Sequence, residues 1–269
     1  MSMFLDMSTY VGHWPFRNIR YNTLDGLDTL AQKYEITHMV VSNINGFFYK
    51  DANMANLELL EWLKTYQGKT EFLPLAIVNP RYPTWEKDAR DMIAAGFMGF
   101  EIAPVYHGYS MSPEVVFDHF YPIHYGKLVL DLAEELDVPV RICSSIEDFR
   151  GRGEMDHKNN ITGDEYYALL SANTNTHVFA TSFPPEKSGD RLSALLKTRK
   201  NTYFDLTLFD PFWGIGCDPV NNVVTPDQLA YGSLSPFNYM ECSLLRGYCG
   251  EFDFEAMKTN AARAFKSLR

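Results

Sequence analysis

Residues 96–111 read GFMGFEIAPVYHGYSM. The run 99–103 is apolar except for Glu101, starts at a glycine and is stopped by Pro104. A short apolar run bounded by Gly and Pro reads as a strand buried on both faces. Seven further runs fit the same description, at 3–7, 37–42, 72–78, 138–143, 177–182, 202–208 and 228–232. Between most of them lie segments with apolar residues at helical spacing, at 54–66, 84–95, 121–136, 164–172 and 190–198, and a last one at 254–268. Eight strands alternating with helices imply parallel βαβ units. At 269 residues the natural closure is an α/β fold of the (β/α)8 TIM-barrel type, with room for distortion, as a single domain over residues 1–269. An open doubly wound sheet is the alternative, but no G-x-G-x-x-G follows an early strand. The stretch 209–227, FDPFWGIGCDPVNNVVTPD, lacks a helical pattern and reads either as a lid or binding loop or as an irregular packed excursion.

Composition narrows the function classes. The chain is 46% hydrophobic and 22% charged, which excludes disorder. Its net charge of −10 weighs against nucleic-acid binding and against docking on anionic lipid. Cys143, Cys217, Cys242 and Cys249 form no C-x-x-C pair, so neither a zinc knuckle nor a disulfide framework is indicated. No apolar run is long enough to span a membrane and the first residues lack a leader pattern, so a cytoplasmic location is expected.

The strand ends carry a recognisable pattern. The chain resembles the amidohydrolase-related family of the amidohydrolase superfamily, metal-dependent hydrolases and decarboxylases on a TIM barrel. LDMSTYVGHWPF (5–16) resembles the family's first strand and loop, Asp-x-His-x-His-x-Gly. GFMGFEIAPVYHGYSM resembles its fourth strand, LDVPVRICSS (136–145) its fifth, LAYGSLSPF (229–237) its eighth, and KTNAARAF (258–265) its closing helix. The metal ligands do not carry over. Ser8 and Tyr10 stand where the resemblance implies two histidines, Cys143 and Thr181 near two more, and Leu234 where it implies an aspartate. Leu cannot ligate an ion, and neutral hydroxyls are poor zinc ligands. No metal and no cofactor are therefore expected.

Residues ending the strands would line one mouth of the barrel: Ser8, Tyr10, His13, Asn43, Asn79, Glu101, Arg141, Cys143, Thr181, Asp205 and Ser233. His13 is a candidate general base or substrate donor, or a loop histidine packed on Trp14. Glu101 and Arg141 each interrupt an apolar strand, and lone buried charges are normally paired. They read as a structural bridge across adjacent strands, or Arg141 faces the mouth and grips a substrate anion. Asp205 reads equally as a general base or a structural carboxylate. Cys143 is a nucleophile only if a basic neighbour makes it a thiolate, and a buried inert thiol is the commoner case. Tyr106 and His107 follow the fourth strand, where they touch ligand or simply pack. His38, His119, His124, His157 and His177 read as structural or solvated. Aromatics cluster after the strands, at Trp14, Phe16, Phe47, Phe48, Tyr49, Tyr106, Tyr109, Phe212 and Trp213. Such a rim suits a ring-bearing small molecule or a homodimer contact.

Three readings stand at this point. One is an amidohydrolase-related enzyme working without metal on a small anionic or ring-bearing molecule, with His13, Arg141 and Asp205 as its catalytic residues and Ser8, Tyr10, Glu101, Tyr106, Cys143 and Ser233 touching substrate. Another is an inactive barrel that binds a small molecule or a protein. The third is a metal site rebuilt from Glu101, Asp205 and His13.

Overall fold

The structure, a computed structural model, describes residues 2–115, 121–147, 154–156, 161–207, 218–250 and 252–268. Its strands are β1 (Leu5–Val11), β2 (His38–Asn43), β3 (Glu71–Pro74), β4 (Ala76–Ile77), β5 (Phe100–Ile102), β6 (Val140–Cys143), β7 (Val178–Thr181) and β8 (Thr202–Phe204). They form two parallel sheets, β1-β2-β3 and β4-β5-β6-β7-β8. The helices are α1 (Leu24–Lys33), α2 (Asn53–Thr65), α3 (Trp85–Ala94), α4 (Pro104–His107), α5 (Tyr125–Leu136), α6 (Gly163–Ala172), α7 (Gly189–Thr198), α8 (Asp218–Asn221), α9 (Met240–Cys249) and α10 (Phe254–Asn260).

The run expected at 72–78 is one strand that changes partner. The Leu75 amide donates to Val41 O on the β2 side, and the Ala76 amide donates to Gly99 O on the β5 side. Past the switch, the buried Asn56 side chain of α2 stands in for the lost neighbour. It accepts from the Ile77 amide at 2.8 Å and donates to the Ile77 carbonyl at 3.0 Å. β3 and β4 thus fill one place in the barrel, and β8 is the seventh.

The eighth place is held by residues 229–235, which form isolated bridges rather than the regular strand expected at 228–232. The Ala230 amide donates to Phe204 O, Met7 donates to Tyr231 O, and Tyr10 donates to Ser235 O. These bonds tie β8 to β1 through the segment and give the barrel its round.

Two of the longer helices, α1 and α9, and the short α4 and α8 have no counterpart among the expected helical segments. α1 does carry a start signal: Thr23 accepts from the Gly26 amide, and Leu24, Leu27 and Ala31 bury one stripe. Of the stretch 209–227, residues 209–217 lie outside the described residues, as do Phe212, Trp213, Cys217, His119 and His157. Residues 218–221, expected to be irregular, form the short helix α8.

Strand side chains alternate between the barrel interior and the helix layer. At the N-terminal end the interior is apolar: Leu5, Met7, Val40, Leu73, Leu75, Phe179, Tyr203 and Ala230 pack against Ala261, Ala264 and Phe265 of the closing turns. At the C-terminal end it is again apolar, with Tyr10, Ile77, Ala103, Cys143 and Leu234 under Trp14, Phe47 and Phe237. Between the two lies a buried polar layer of Ser8, Ser42, Glu101, Arg141, Thr181 and Asp205.

Candidate functional site

The polar layer is organised around Arg141. β5 and β6 pair with Glu101 beside Arg141, and Glu101 Oε2 accepts from Arg141 Nη2 at 2.6 Å with both side chains fully buried. The guanidinium reaches across the barrel to β1 and β2. It donates to Val40 O (2.9 Å), Met7 O (3.3 Å), Thr9 O (3.3 Å) and Ser42 Oγ (2.8 Å). The register of β1 on β2 shifts between Asp6 and Thr9, so the bulged carbonyls of β1 are where the guanidinium lands. Tyr10 completes the set, its hydroxyl donating to Glu101 Oε1 at 2.7 Å and its ring 4.5 Å below the guanidinium carbon. Burial alone would drive the proton off Arg141, but Glu101 and Tyr10 outweigh it and the arginine is held charged. Both terminal nitrogens are thus engaged inside the barrel. Of the two readings of this pair, the structure has the bridge.

Cys143 sits beside Tyr10 and is 1% exposed. Burial pushes its thiol well above the ordinary value, Glu101 adds to that, and Arg141 and the Tyr10 hydroxyl only partly oppose it. A neutral thiol is no nucleophile. Cys242, by contrast, is exposed. Peptide mapping after brief treatment of native protein with iodoacetamide should find Cys242 alkylated and Cys143 intact. Alkylation of Cys143 at a comparable rate would contradict this environment.

On the other side of the polar layer stand two buried carboxylates. Asp205 Oδ1 accepts from the amides of Ser182 (3.1 Å) and Thr207 (3.2 Å), while Oδ2 is buried without a partner among the described residues. Asp6 Oδ1 accepts from the amides of Ser8 (3.1 Å) and Ser233 (3.0 Å), and its Oδ2 is likewise unpartnered among them. Burial raises Asp6 to about 7, against the hydrogen bonds from Ser233 and Ser8, and Asp205 adds to the rise. Burial raises Asp205 to about 6, opposed by Ser182, Thr207 and Ser8. The chain crosses here at Gly232, where a Cβ would stand 2.6 Å from Ser8 Oγ and 2.7 Å from Asp205 Cβ, so only glycine allows the approach. Ser8 Oγ accepts from the Leu234 amide (3.1 Å), and Ser233 Oγ donates to Ser235 Oγ (2.8 Å).

Asp6 is not among the expected site residues. Its signal is nonetheless in the sequence, since it interrupts the apolar run Phe4–Met7 as Glu101 and Arg141 interrupt theirs.

His13 is not drawn into this layer. It is exposed, and its backbone amide donates to Asn45 Oδ1 at 2.8 Å. Trp14 beside it is 1% exposed, ringed edge-on by Phe16, Phe48, Tyr106 and Phe237 at centroid distances of 4.9–6.1 Å. Tyr106 stacks on Phe47 at 5.1 Å. The aromatic rim therefore forms, half-exposed at Phe48 and Tyr49. His107, beneath the rim, bonds Gly46 O through Nε2 (3.1 Å), and burial lowers it to about 4, so it is neutral. His38 bonds Thr37 and Glu71, His124 caps α5, and His177 stacks on Tyr203.

The donor set does not fit a divalent ion. Ser8, Tyr10 and Thr181 present neutral hydroxyls already bonded to Leu234, Glu101 and the Ile142 carbonyl. Cys143 is buried beside Tyr10, and Leu234 is a hydrocarbon in the rim cluster. Among the described residues no three His, Cys, Asp or Glu side chains converge on one point. That includes the set Glu101, Asp205 and His13, so the rebuilt centre does not assemble.

No family profile and no curated protein matches the sequence. Solved structures do. A Staphylococcus aureus protein assigned as an amidohydrolase superposes with a TM-score of 0.65 at 14% identity, covering 98% of this chain and 99% of that one. A dihydroxybenzoic acid decarboxylase from a Polaromonas species, solved with manganese and 2-nitroresorcinol, gives 0.69 at 12% identity, covering 100% and 98%. A TIM-barrel protein from Bordetella bronchiseptica gives 0.65 at 13%, covering 99% of each. The chain shares the barrel fold of these structures. No helix among the described residues is long and apolar enough to cross a membrane.

Proposed function

We propose that this amidohydrolase-type barrel acts on a small ring-bearing molecule and that Asp205, not a metal, carries its acid–base chemistry. The observation behind this is the Asp205 carboxyl: inward-facing, with one oxygen unpartnered among the described residues and its proton held to about pH 6. A carboxylate tuned toward neutrality inside a strand-end mouth is a candidate general base. The aromatic rim of Trp14, Phe47, Phe48, Tyr106 and Phe237 selects the substrate class. Structures sharing the fold include an amidohydrolase and a decarboxylase crystallised with a substituted resorcinol. Candidate substrates are therefore aryl-substituted lactones and aromatic carboxylic acids. Arg141 and Glu101 hold the barrel around Asp205 rather than touching substrate.

Such a panel should reveal a substrate whose kcat/KM rises through an apparent pKa near about 6. Asp205→Asn should lower kcat about 100-fold or more with little change in KM, and wild-type activity should survive chelator. Near-stoichiometric zinc or manganese in protein purified without chelator would overturn the metal-independent step. A second reading, a binding barrel without turnover, is favoured by the engagement of both terminal nitrogens of Arg141 within the barrel. It predicts thermal stabilisation by ring compounds with no product formed.

A further inference from the structure

The opposite end of the barrel carries a groove of about 490 Å³, within the range of small-ligand sites. Thr198, Arg199, Lys200, Asn201, His177 and Arg263 line it, and no carboxylate among the described residues does. In a chain of net charge −10, this is a local concentration of cations.

Arg199 is the unusual member. It is 5% exposed and pairs with no carboxylate among the described residues. Its donors go to neutral oxygens: Nε to Thr202 Oγ1 (2.8 Å), Nη1 to Leu170 O (3.0 Å) and Asn173 O, and Nη2 to Thr176 O (2.8 Å). Of the five guanidinium N–H groups, one on Nη2 is left over. Burial lowers the arginine to about 10, with no opposite charge to offset it. A buried cation without a counter-ion costs several kcal/mol, and here the described residues supply none. Lys200 extends the patch, with one N–H given to Thr225 Oγ1 at 3.0 Å and two left. The nearby acid Asp227 bonds Thr225 and sits outside the lining, where Lys200 and Arg263 also help hold it below the ordinary carboxylate value, so it offsets part of their charge but none of Arg199's. One wall is the stacked pair His177 and Tyr203, with ring planes 9° apart.

We infer that this groove binds the phosphate group of a small phosphomonoester, with Arg199, Lys200 and Arg263 supplying the charge. The site lies on the face away from Asp205, so it stands or falls independently of the proposed chemistry.

The test is calorimetric titration of the full chain at low ionic strength with phenyl phosphate and, separately, inorganic phosphate. Saturable binding is expected, weakening as salt is added, and tighter for phenyl phosphate if the ring wall contributes. Lys200→Gln with Arg263→Gln should weaken binding about 10-fold or more while circular dichroism stays unchanged. Should that pair fail to fold, Lys200→Gln alone, at an exposed position, should still weaken it severalfold. Absence of saturable binding of either probe, or affinity unchanged in the folded variant, would overturn the site.

Discussion

Replacing Arg141 by methionine should lower the stability of the fold by about 3–5 kcal/mol, a fall in Tm of roughly 10 °C. The substitution keeps most of the apolar stem but leaves Glu101 as a buried charge whose counter-ion is gone. It also takes the guanidinium's bonds from the carbonyls of Met7, Thr9 and Val40 and from the hydroxyl of Ser42, although Val40 O keeps the Thr9 hydroxyl and Ser42 keeps Leu75 O. Removing one partner of a buried pair is costly, whereas replacing both can be nearly neutral. Arg141→Met with Glu101→Leu should therefore recover part of the loss, and thermal unfolding of the two single variants and the double variant would show the coupling. If Arg141→Met unfolds at the wild-type temperature and only ligand affinity changes, the residue is an anion clamp and the bridge is incidental.

Stability should also fall as pH rises from about 4 to about 8. Asp6 and Asp205 have folded values of about 7 and about 6, raised from 3.8. The folded chain thus holds protons that the unfolded chain releases. The contribution is complete below the unfolded value and lost as pH climbs through the folded ones. At about 1.4 kcal/mol for each tenfold gain in proton affinity, the two carboxyls together are worth several kcal/mol. Below pH about 4 the sign reverses, because the Asp28, Asp227 and Glu241 carboxylates are held down by hydrogen bonds from Thr70, Thr225 and Tyr34. These groups are mostly exposed, so their effect is small. Denaturant unfolding across this range should show a maximum near about pH 4–5 and a decline above it. Asp6→Asn with Asp205→Asn keeps the Oδ1 acceptors and should flatten that decline, and an equally steep decline in the double variant would place its origin elsewhere. A carboxylate ionised at a cost to the fold is what a working site looks like, so the same titration that destabilises the barrel would switch on Asp205.

The fold is legible because its signal is local. A strand buried on both faces must be apolar throughout, and seven of the eight expected runs form strands where the pattern places them. The eighth place is held by the expected segment, but through isolated bridges, with Gly232 passing close to Ser8 and Asp205. The helix α1 lies outside the expected segments although its Thr23 cap and apolar stripe stand in the sequence. The helix α9 (Met240–Cys249) lies outside them as well.

By itself the sequence determined that Glu101 and Arg141 must find partners, since an apolar strand cannot leave a charge bare, and that Leu234 cannot hold a metal. Only the tertiary structure decided which partners. Pairing Glu101 beside Arg141 depends on the register of β5 on β6, and the arginine's other bonds depend on a bulge in β1 lying across the barrel, 132 residues away from it at Thr9. The exposure of His13, the neutral thiol of Cys143 and the raised carboxyls of Asp6 and Asp205 were settled the same way. Burial and proximity set the charge state of a side chain, and both come from residues far apart in the chain.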